Sequence, residues 1–447
     1  MKPTKKKPGK KSSGRQLAVE ALLRVEQNQS WSNLTLDHML EQSGLDSREG
    51  ALATALFYGT LERRLTLDAC VAAHSQLALT KIAPAVRQIL RISLYQLLYM
   101  DKIPAHSAVD EGVQLTKTMG LARASGFVNG VLRAFLRADC QIPMPEGPVE
   151  RLSVQYATPV PLVQLWLDSY GPVVTESVLQ ASLGRPPVHI RVNTLKTTAE
   201  DLQKKLAEQG VEATLHPTVP QCLSVSGQGA IYKLPAYAQG LFHVQDAASQ
   251  LCVLALDAAP GMHVLDTCAA PGGKAFAMAQ YMANQGALIA TELHPRRVGL
   301  MEKQAARLGI TCLTGQERDM TIPHPDLTAD GLFDRVLCDV PCSGLGVIRR
   351  KPEIKYKDLA EFAHLPDIQY KILCQAAQYC KPGGRLVYST CTLNPAENSA
   401  VTQQFLHTHP QFAPAPLPDL LGGGWEYTLT GDHDGDHFYV AAFAPKE

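Results

Sequence analysis

The chain has 447 residues, no formal net charge, 45% hydrophobic residues and 19% charged residues. This length predicts two or three domains, and the composition excludes a fibrous or wholly disordered chain. The 11 cysteines are odd in number and unevenly spaced, so we expect a reducing, cytoplasmic setting without a disulfide framework.

The first 13 residues are strongly basic. Residues 1–13 contain six lysines, and no hydrophobic residue follows Met1 there. Such a run predicts a disordered, solvated tail, with an arm that contacts phosphate groups as the alternative. The tail lacks the apolar segment of a signal peptide, and no later run approaches the roughly 18 apolar residues of a membrane span. We therefore expect no membrane association.

Residues 14–140 are predicted to form an all-helical bundle. Apolar residues recur there at intervals of three and four. The segments that show this spacing are RQLAVEALLRVEQ, REGALATALFYGTLERRLTLDACVAAH, APAVRQILRISLYQLLYM and ASGFVNGVLRAFLR. The proline-rich CQIPMPEGP that follows suits a linker.

Residues 148–240 are predicted to form a small α+β module. VHIRVNTLK, VEATLHP and CLSVSG have strand character, and the helix TAEDLQKKLAEQG ends at Gly210, a suitable C-cap. In the first strand, Arg191 and Asn193 alternate with apolar neighbours, and Lys196 follows. A half-buried sheet of this kind can offer those polar groups to RNA, although they suit the exposed edge of an ordinary sheet equally well.

Residues 241–447 alternate between strands and helices. This rhythm predicts a doubly wound, Rossmann-like parallel sheet with ligand sites at the carboxyl ends of its strands. The segments are HVLDTC, GGKAFAMAQYMA, ALIATEL, PRRVGLMEKQAARLG, FDRVLCDV, IQYKILCQAAQYC, RLVYSTC and PAENSAVTQQFLHTH. The closing segment GGGWEYTLTGDHDGDHFYVAAFAP predicts a β-hairpin, and its Asp432–His437 run is predicted to be a solvated turn, with a metal-binding run as the alternative. No cysteine or histidine spacing indicates a metal site.

A loop of small residues follows the strand VLD. Small residues let backbone N–H groups and a helix N-terminus approach a ligand closely. The loop is not a nucleotide-binding P-loop, because Cys268 replaces its first glycine and Ala275 follows Lys274. A nucleoside-bearing ligand without a cradled pyrophosphate fits better. The predicted ligand contacts are Cys268, Ala269, Ala270, Pro271, Gly272, Gly273 and Lys274.

Acidic residues follow the next strands. Glu292 ends a strand about 20 residues beyond Gly272, where a carboxylate in such folds accepts hydrogen bonds from ribose hydroxyls. Asp319 follows the third strand, where it can meet an adenine edge, and Asp339 ends the fourth. Asp266 either orients the small-residue loop or caps the turn after its strand. We predict that Glu292, Asp319 and Asp339 line the ligand site.

CAAPGGK, DVPCSGLGVIRRKPEIKY and STCTLNPAEN together resemble motifs of the S-adenosylmethionine-dependent RNA cytosine-5 methyltransferases. SAVDEGVQLTK and GFVNGVLRAFLR resemble the NusB domain fused to the bacterial 16S ribosomal RNA branch called Sun or Fmu. The resemblance implies a NusB-like RNA-binding bundle, an RRM-like module and a class I methyltransferase domain. This sequence departs from the family at Glu292, where aspartate is commoner.

The resemblance also implies roles for the two cysteine motifs. Cytosine C5 is a poor nucleophile, and adding a thiolate to C6 makes it reactive. By resemblance, Cys391 is this nucleophile, Cys342 assists product release, and Asp339 hydrogen-bonds or protonates the ring edge of cytosine. Lys274 is a neighbour of this acidic cluster or of phosphate.

The basic run after the Pro-Cys motif is a further candidate site. In most proteins such a run is a solvated loop, but in this context we expect it to touch substrate phosphates. Its cations are Arg349, Arg350, Lys351 and Lys355. The target base must leave its stack to reach the thiol, which favours a single-stranded or loop cytosine.

The resulting hypothesis is a monomeric methyltransferase that uses S-adenosylmethionine on one cytosine of 16S ribosomal RNA, in unassembled RNA or an early 30S particle. A transfer RNA substrate is the first alternative, because the catalytic domain is shared. A non-catalytic RNA-binding factor of ribosome assembly is the second, suggested by the NusB-like domain and the basic tail.

Overall fold

The computed structural model of the chain describes residues 13–28, 32–227, 231–430 and 434–446. The chain forms two compact units. The first contains the chain up to Gly184 together with Ile348–Lys357, and the second contains Arg185–Val347 and the chain from Asp358 onwards. The predicted basic tail lies outside the described residues, apart from its last residue.

The first unit is helical where it is described, as the spacing of apolar residues predicts. Helix α7 shows the cause, because Val128, Val131, Leu132 and Phe135 fall on one face and are all buried. The helices are α1 (Gly14–Asn28), α2 (Ser32–Ser43), α3 (Ser47–Glu62), α4 (Arg64–His74), α5 (Pro84–Tyr99), α6 (Ala105–Thr118), α7 (Ser125–Arg137), α8 (Pro148–Gln155) and α9 (Val160–Ala181).

A segment from far along the chain, Ile348–Lys357, also belongs to the first unit. Its Lys355 is buried, and Nζ donates a hydrogen bond of 2.8 Å to the carbonyl of Glu62 at the end of α3. The ring of Tyr356 lies 3.5 Å from the guanidinium of Arg64. Burial lowers the pKa of Lys355 to about 7. The prediction that this lysine touches substrate phosphates is therefore wrong.

The second unit begins with a small antiparallel sheet, which confirms the predicted α+β module. The Thr198 side chain caps its first helix, and Gly210 follows that helix with a φ of 74°. The elements are β1 (Val188–Val192), α10 (Ala199–Glu208), β2 (Glu212–Leu215), β3 (Cys222–Ser226), α11 (Pro235–Ala238) and β4 (Phe242–Val244). The strand order is β2-β3-β1-β4.

The sheet of this module extends beyond the predicted end of the module. Strand β4 lies beyond the predicted end at residue 240, yet it pairs with β1 and completes the small sheet. Helices α8 and α9, which the prediction places at the start of the module, pack with the first unit, and the boundary at residue 148 stays a prediction. The module sheet therefore spans residues 188–244.

The rest of the second unit is built on an eight-stranded sheet, which confirms the predicted Rossmann-like fold. Strand order is β10-β12-β9-β8-β5-β6-β7, with β11 pairing to β12. The elements are α12 (Ala247–Leu254), β5 (His263–Asp266), α13 (Gly273–Tyr281), β6 (Ala287–Glu292), α14 (Pro295–Leu308), β7 (Leu313–Glu317), β8 (Phe333–Asp339), α15 (Leu365–Ala377), β9 (Cys380–Thr390), α16 (Ser399–Thr408), β10 (Phe412–Pro414), β11 (Glu426–Leu429) and β12 (Phe438–Pro445).

Successive residues of the parallel strands bury side chains on opposite faces of this sheet. Val264 packs in one apolar cluster and Leu265 in another, and Leu337 and Val336 divide in the same way. Strands β5 to β9 are parallel. The final strands β11 and β12 form the predicted antiparallel hairpin, with Leu429 opposite Phe438. Helices therefore cover both faces of the sheet.

Candidate active site

The carboxyl ends of the parallel strands bring five predicted residues to one edge of the large sheet. Asp266, Glu292 and Asp339 are the last residues of β5, β6 and β8. Asp319 lies two residues beyond β7, and Cys391 directly follows β9. Because all five strands run the same way, one edge carries three carboxylates, a further aspartate and a thiol.

The small-residue loop connects β5 to α13. It contains a cis peptide bond between Ala270 and Pro271, and Gly272 has a φ of 108°. A Cβ added to Gly272 would lie 2.3 Å from the ring of Phe276, so this position requires glycine. Helix α13 starts at Gly273, and its first N–H groups lie at the end of the loop. This arrangement fits the close approach of a ligand.

Two carboxylates lie at the end of β6 and just beyond β7. Glu292 is buried, and its Oε1 accepts hydrogen bonds from Arg297 Nη1 at 3.0 Å and from the His294 amide at 3.1 Å. The Asp319 Oδ1 accepts from the hydroxyl and the amide of Thr321, and these bonds lower the pKa of Asp319. Carboxylates held in place at these strand ends suit a ligand that carries hydroxyl and amino donors.

Asp339 is held by two donors. Lys274 Nζ lies 2.7 Å from its Oδ2, and the Ser389 hydroxyl donates to its Oδ1 at 2.8 Å. Burial opposes the charge of Lys274, but the Asp339 carboxylate outweighs it and raises the pKa of the lysine. Burial raises the pKa of the neighbouring Asp266 to about 7, and the charge of Asp339 adds to this. The edge therefore holds a firm Lys274–Asp339 ion pair next to a carboxyl that protonates readily.

The two predicted cysteines meet beside this ion pair. Cys342 and Cys391 follow the adjacent strands β8 and β9, and their Sγ atoms are 3.2 Å apart. Hydrogen bonding to the Cys391 sulfur, together with burial, raises the pKa of Cys342 well above its usual range. This shift favours the protonated form of Cys342, and the geometry allows either sulfur to be the donor. Both side chains are half-buried.

The prediction that Arg191 and Asn193 face RNA is wrong, because both are buried. Arg191 Nε donates to Gln280 Oε1 at 2.9 Å, and Asn193 Nδ2 donates to the carbonyls of Gly240 and Leu308 at 2.7 Å each. Gln280 and Leu308 lie in α13 and α14. The polar face of β1 is therefore covered by the helices of the large sheet, and its side chains hold the small module in place.

The basic run after the Pro-Cys motif lies partly at the surface. Arg349, Arg350 and Lys351 are half-buried in the first unit. Their contact with substrate phosphates stays a prediction. Among the described residues, no group of three or more histidine, cysteine, aspartate or glutamate side chains is placed to hold a metal ion. The described helices also include none long and apolar enough to cross a bilayer.

Three polar residues of the site were not assigned a role from the sequence. Ser389 holds Asp339 from strand β9. Ser343 and Glu397 are buried and hydrogen-bonded to each other behind the two cysteines. Both belong to the motifs quoted above, PCSG and NPAEN. The sequence does show Glu397 among small and amide residues in NPAEN, but it does not show that this side chain is buried.

Comparisons with known proteins give a consistent result. Three family models match: the NusB family over residues 12–137, the RsmF/B-like ferredoxin-like methyltransferase domain over 158–232, and 16S rRNA methyltransferase RsmB/F over 253–444. Over 407 residues the chain is 38% identical to the probable ribosomal RNA small subunit methyltransferase B of Bacillus subtilis, with 91% of this chain and 90% of the relative covered.

A second relative and a solved structure extend this similarity to nearly the whole chain. The probable ribosomal RNA small subunit methyltransferase B of Synechocystis is 35% identical over 440 residues, which cover 96% of this chain and 98% of that one. The crystal structure of PH0851 is similar with a TM-score of 0.80 and 25% identity, covering 98% of this chain and 100% of the other.

Proposed function

The chain belongs to the RsmB/F family of 16S rRNA methyltransferases, and from this premise we propose that it methylates C5 of one cytosine in 16S rRNA with S-adenosylmethionine as donor. The observation that carries the proposal is the pair of thiols, 3.2 Å apart, beside the Lys274–Asp339 ion pair. A cytosine-5 transfer needs a nucleophilic thiol and a group that assists its release.

The small-residue loop and two carboxylates are proposed to hold the donor. When bound, S-adenosylmethionine supplies an electrophilic methyl group on its sulfonium. Glu292 would accept hydrogen bonds from the ribose hydroxyls and Asp319 from the adenine amino group, while the backbone of residues 268–273 approaches the ligand closely. The positive φ of Gly272 and the small side chains around it support this assignment.

The first chemical step is the attack of the Cys391 thiolate on C6 of the cytosine. The new S–C6 bond pushes the C5–C6 π electrons onto C5, which then bonds to the methyl carbon while the bond between carbon and sulfonium breaks. Asp339 is paired with Lys274 and so acts as a hydrogen-bond acceptor, suited to the exocyclic amine of cytosine. The adjacent ammonium of Lys274 favours negative charge at the thiolate.

Release reverses the addition. The C5 proton passes to solvent water, its electron pair restores the C5–C6 double bond, and the S–C6 bond breaks to return the Cys391 thiolate. The Cys342 thiol, 3.2 Å away, donates a hydrogen bond to that departing sulfur. The high pKa of Cys342 keeps its proton available for this role.

RNA that contains 5-fluorocytosine tests the assignment of the two thiols. Fluorine cannot leave C5 as the proton does, so a covalent complex between protein and RNA should accumulate in the wild-type protein. Cys391→Ala should abolish this complex. Cys342→Ala should retain it and should also accumulate a complex on unmodified RNA. A complex that survives in C391A and is lost in C342A would reverse the two roles.

The RNA substrate is tested separately. Bisulfite sequencing of ribosomal and transfer RNA, with and without the gene, should show one 16S cytosine that loses its methyl group. A change in transfer RNA alone would favour the first alternative. If neither naked RNA nor 30S particles gain a methyl group, the protein is an assembly factor without this activity.

A further inference from the structure

Glu397 is a fully buried carboxylate behind the two thiols. It accepts four hydrogen bonds, all from neutral donors. Ser343 contributes its amide at 2.9 Å and its hydroxyl at 2.5 Å, Gln369 Nε2 donates at 2.9 Å, and Asn394 Nδ2 at 3.0 Å. A buried carboxylate is destabilising unless donors replace its hydration, so these four bonds are what allow the group to stay there.

These bonds hold the loop that carries Cys342. Ser343 is the next residue, and its amide and hydroxyl bind one oxygen each of Glu397. Gln369, from helix α15, uses its Nε2 twice, because it also donates to the carbonyl of Pro341 at 2.9 Å. Ser343 is therefore bonded to Glu397, and Pro341 is bonded to Gln369, which itself donates to Glu397.

The same carboxylate holds the loop that carries Cys391. Asn394 bonds it directly. The Ser343 hydroxyl donates to Glu397, so it must accept from the Thr392 hydroxyl, 2.7 Å away. Thr392 directly follows Cys391. Glu397 is therefore the common acceptor that joins the two loops, whose Sγ atoms lie 3.2 Å apart.

The charges around the thiols are asymmetric. The Glu397 carboxylate contributes to the raised pKa of Cys342, after the larger effects of the hydrogen bond to Cys391 and of burial. Asp339 is the main cause of the raised pKa of Lys274, and Cys252 and then Cys391 contribute to it less. The Glu397 carboxylate therefore acts on Cys342, and the Lys274 ammonium acts on Cys391.

We propose that Glu397 is a positioning residue of the thiol pair, which fixes the two loops so that Cys342 retains the proton and Cys391 carries the reactive charge. Glu397 touches neither substrate nor donor in this proposal and acts through the two cysteines. The assignment of attack to Cys391 rests on the proposed function. The division of the proton between the thiols does not require RNA or S-adenosylmethionine.

Alkylation of the two thiols measures this division directly. The full-length protein is treated briefly with iodoacetamide, without RNA or donor, and the modified cysteines are quantified by mass spectrometry. Wild type should react mainly at Cys391. Glu397→Gln keeps the shape of the side chain but removes the charge and part of the accepting capacity. A neighbouring charge shifts a pKa by about one unit or more, so the Cys391 to Cys342 ratio should fall about tenfold.

Two further variants complete the test. Ser343→Ala removes the link to Thr392 and should shift the ratio in the same direction, and it serves if E397Q does not fold. Glu176→Gln is the matched control, because Glu176 accepts from the Tyr156 hydroxyl at 2.8 Å within the first unit, and its ratio should equal wild type. Folded E397Q and S343A proteins with the wild-type ratio would overturn the proposal. If the ratio shifts but wild type never traps 5-fluorocytosine RNA, the proposed function fails while the role of Glu397 stands.

Discussion

Replacing Lys274 by methionine should destabilise the protein through the carboxylate that it leaves behind. Lys274 Nζ lies 2.7 Å from Asp339, and the two side chains are 8% and 28% exposed. Removing one partner of a fully buried pair costs about 3–5 kcal/mol, whereas an exposed pair contributes less than ~1 kcal/mol. This partly shielded pair lies between those limits. We expect the free energy of unfolding, measured in urea, to fall by about 2 kcal/mol.

The same substitution should slow the chemistry. Without the ammonium, Asp339 loses a charge-assisted hydrogen bond and the thiolate of Cys391 loses a favourable neighbour. Such a bond contributes about 1.5–3 kcal/mol, which corresponds to a rate lowered by roughly 10- to 100-fold. The assay is the rate of covalent complex formation with 5-fluorocytosine RNA at saturating S-adenosylmethionine. Asp339→Asn in the K274M background should cost little more stability, because the uncompensated charge is then gone.

Lys381→Met is the matched control. Lys381 forms an ion pair with Asp334 in the same sheet, but its side chain is 43% exposed. An exposed pair of this kind should change the free energy of unfolding by less than ~1 kcal/mol and leave the trapping rate unchanged. The reasoning is refuted if K274M has the same free energy of unfolding and the same trapping rate as K381M.

Two further predictions concern the small-residue loop and the strand before it. Burial, together with the charge of Asp339, raises the pKa of Asp266 from 3.8 to about 7. Between these two pH values the folded chain binds a proton that the unfolded chain has released. The stability that this proton contributes is lost as the pH rises from about 4 to about 7. The free energy of unfolding of Asp266→Asn should therefore fall less than that of wild type between pH 5 and pH 8; an equal fall would contradict the assignment. Gly272→Ala places a Cβ 2.3 Å from the Phe276 ring at a positive φ, which causes strain of about 1–3 kcal/mol. The variant should bind S-adenosylmethionine about tenfold or more weakly, as measured by calorimetry. Gly299→Ala is the control, because Gly299 has open space around it, and it should bind normally.

The fold was largely predictable because the periodic segments are long. The alternation of strands and helices from His263 to Thr408 matches the observed elements of the large sheet in order. Short elements were not predictable in this way. Strand β4 has three residues, and its membership of the small sheet depends on pairing with β1 rather than on its own sequence. The assignment of Ile348–Lys357 to the helical unit likewise depends on packing.

The site was predictable where the motif itself lies at a strand end, as with Asp339 and Cys391. The error at Arg191 and Asn193 has a physical cause. A two-residue alternation shows that polar side chains share one face of a strand, but it does not show what covers that face. Here helices cover it, so the polar groups are satisfied inside the protein. Glu397 was overlooked because it lies in a short turn, Pro395–Glu397, where no periodic pattern indicates burial.

Because Ile348–Lys357 packs in the first unit, the two units cannot be expressed separately by a single cut in the chain. A cut after residue 184 does not free the catalytic half, because that half would still carry ten residues whose packing partners had been deleted. Pro352, Ile354 and Lys355 would lose the helices that bury them, which favours aggregation of the fragment. A separable catalytic domain would need a second edit, a short linker from Val347 to Asp358.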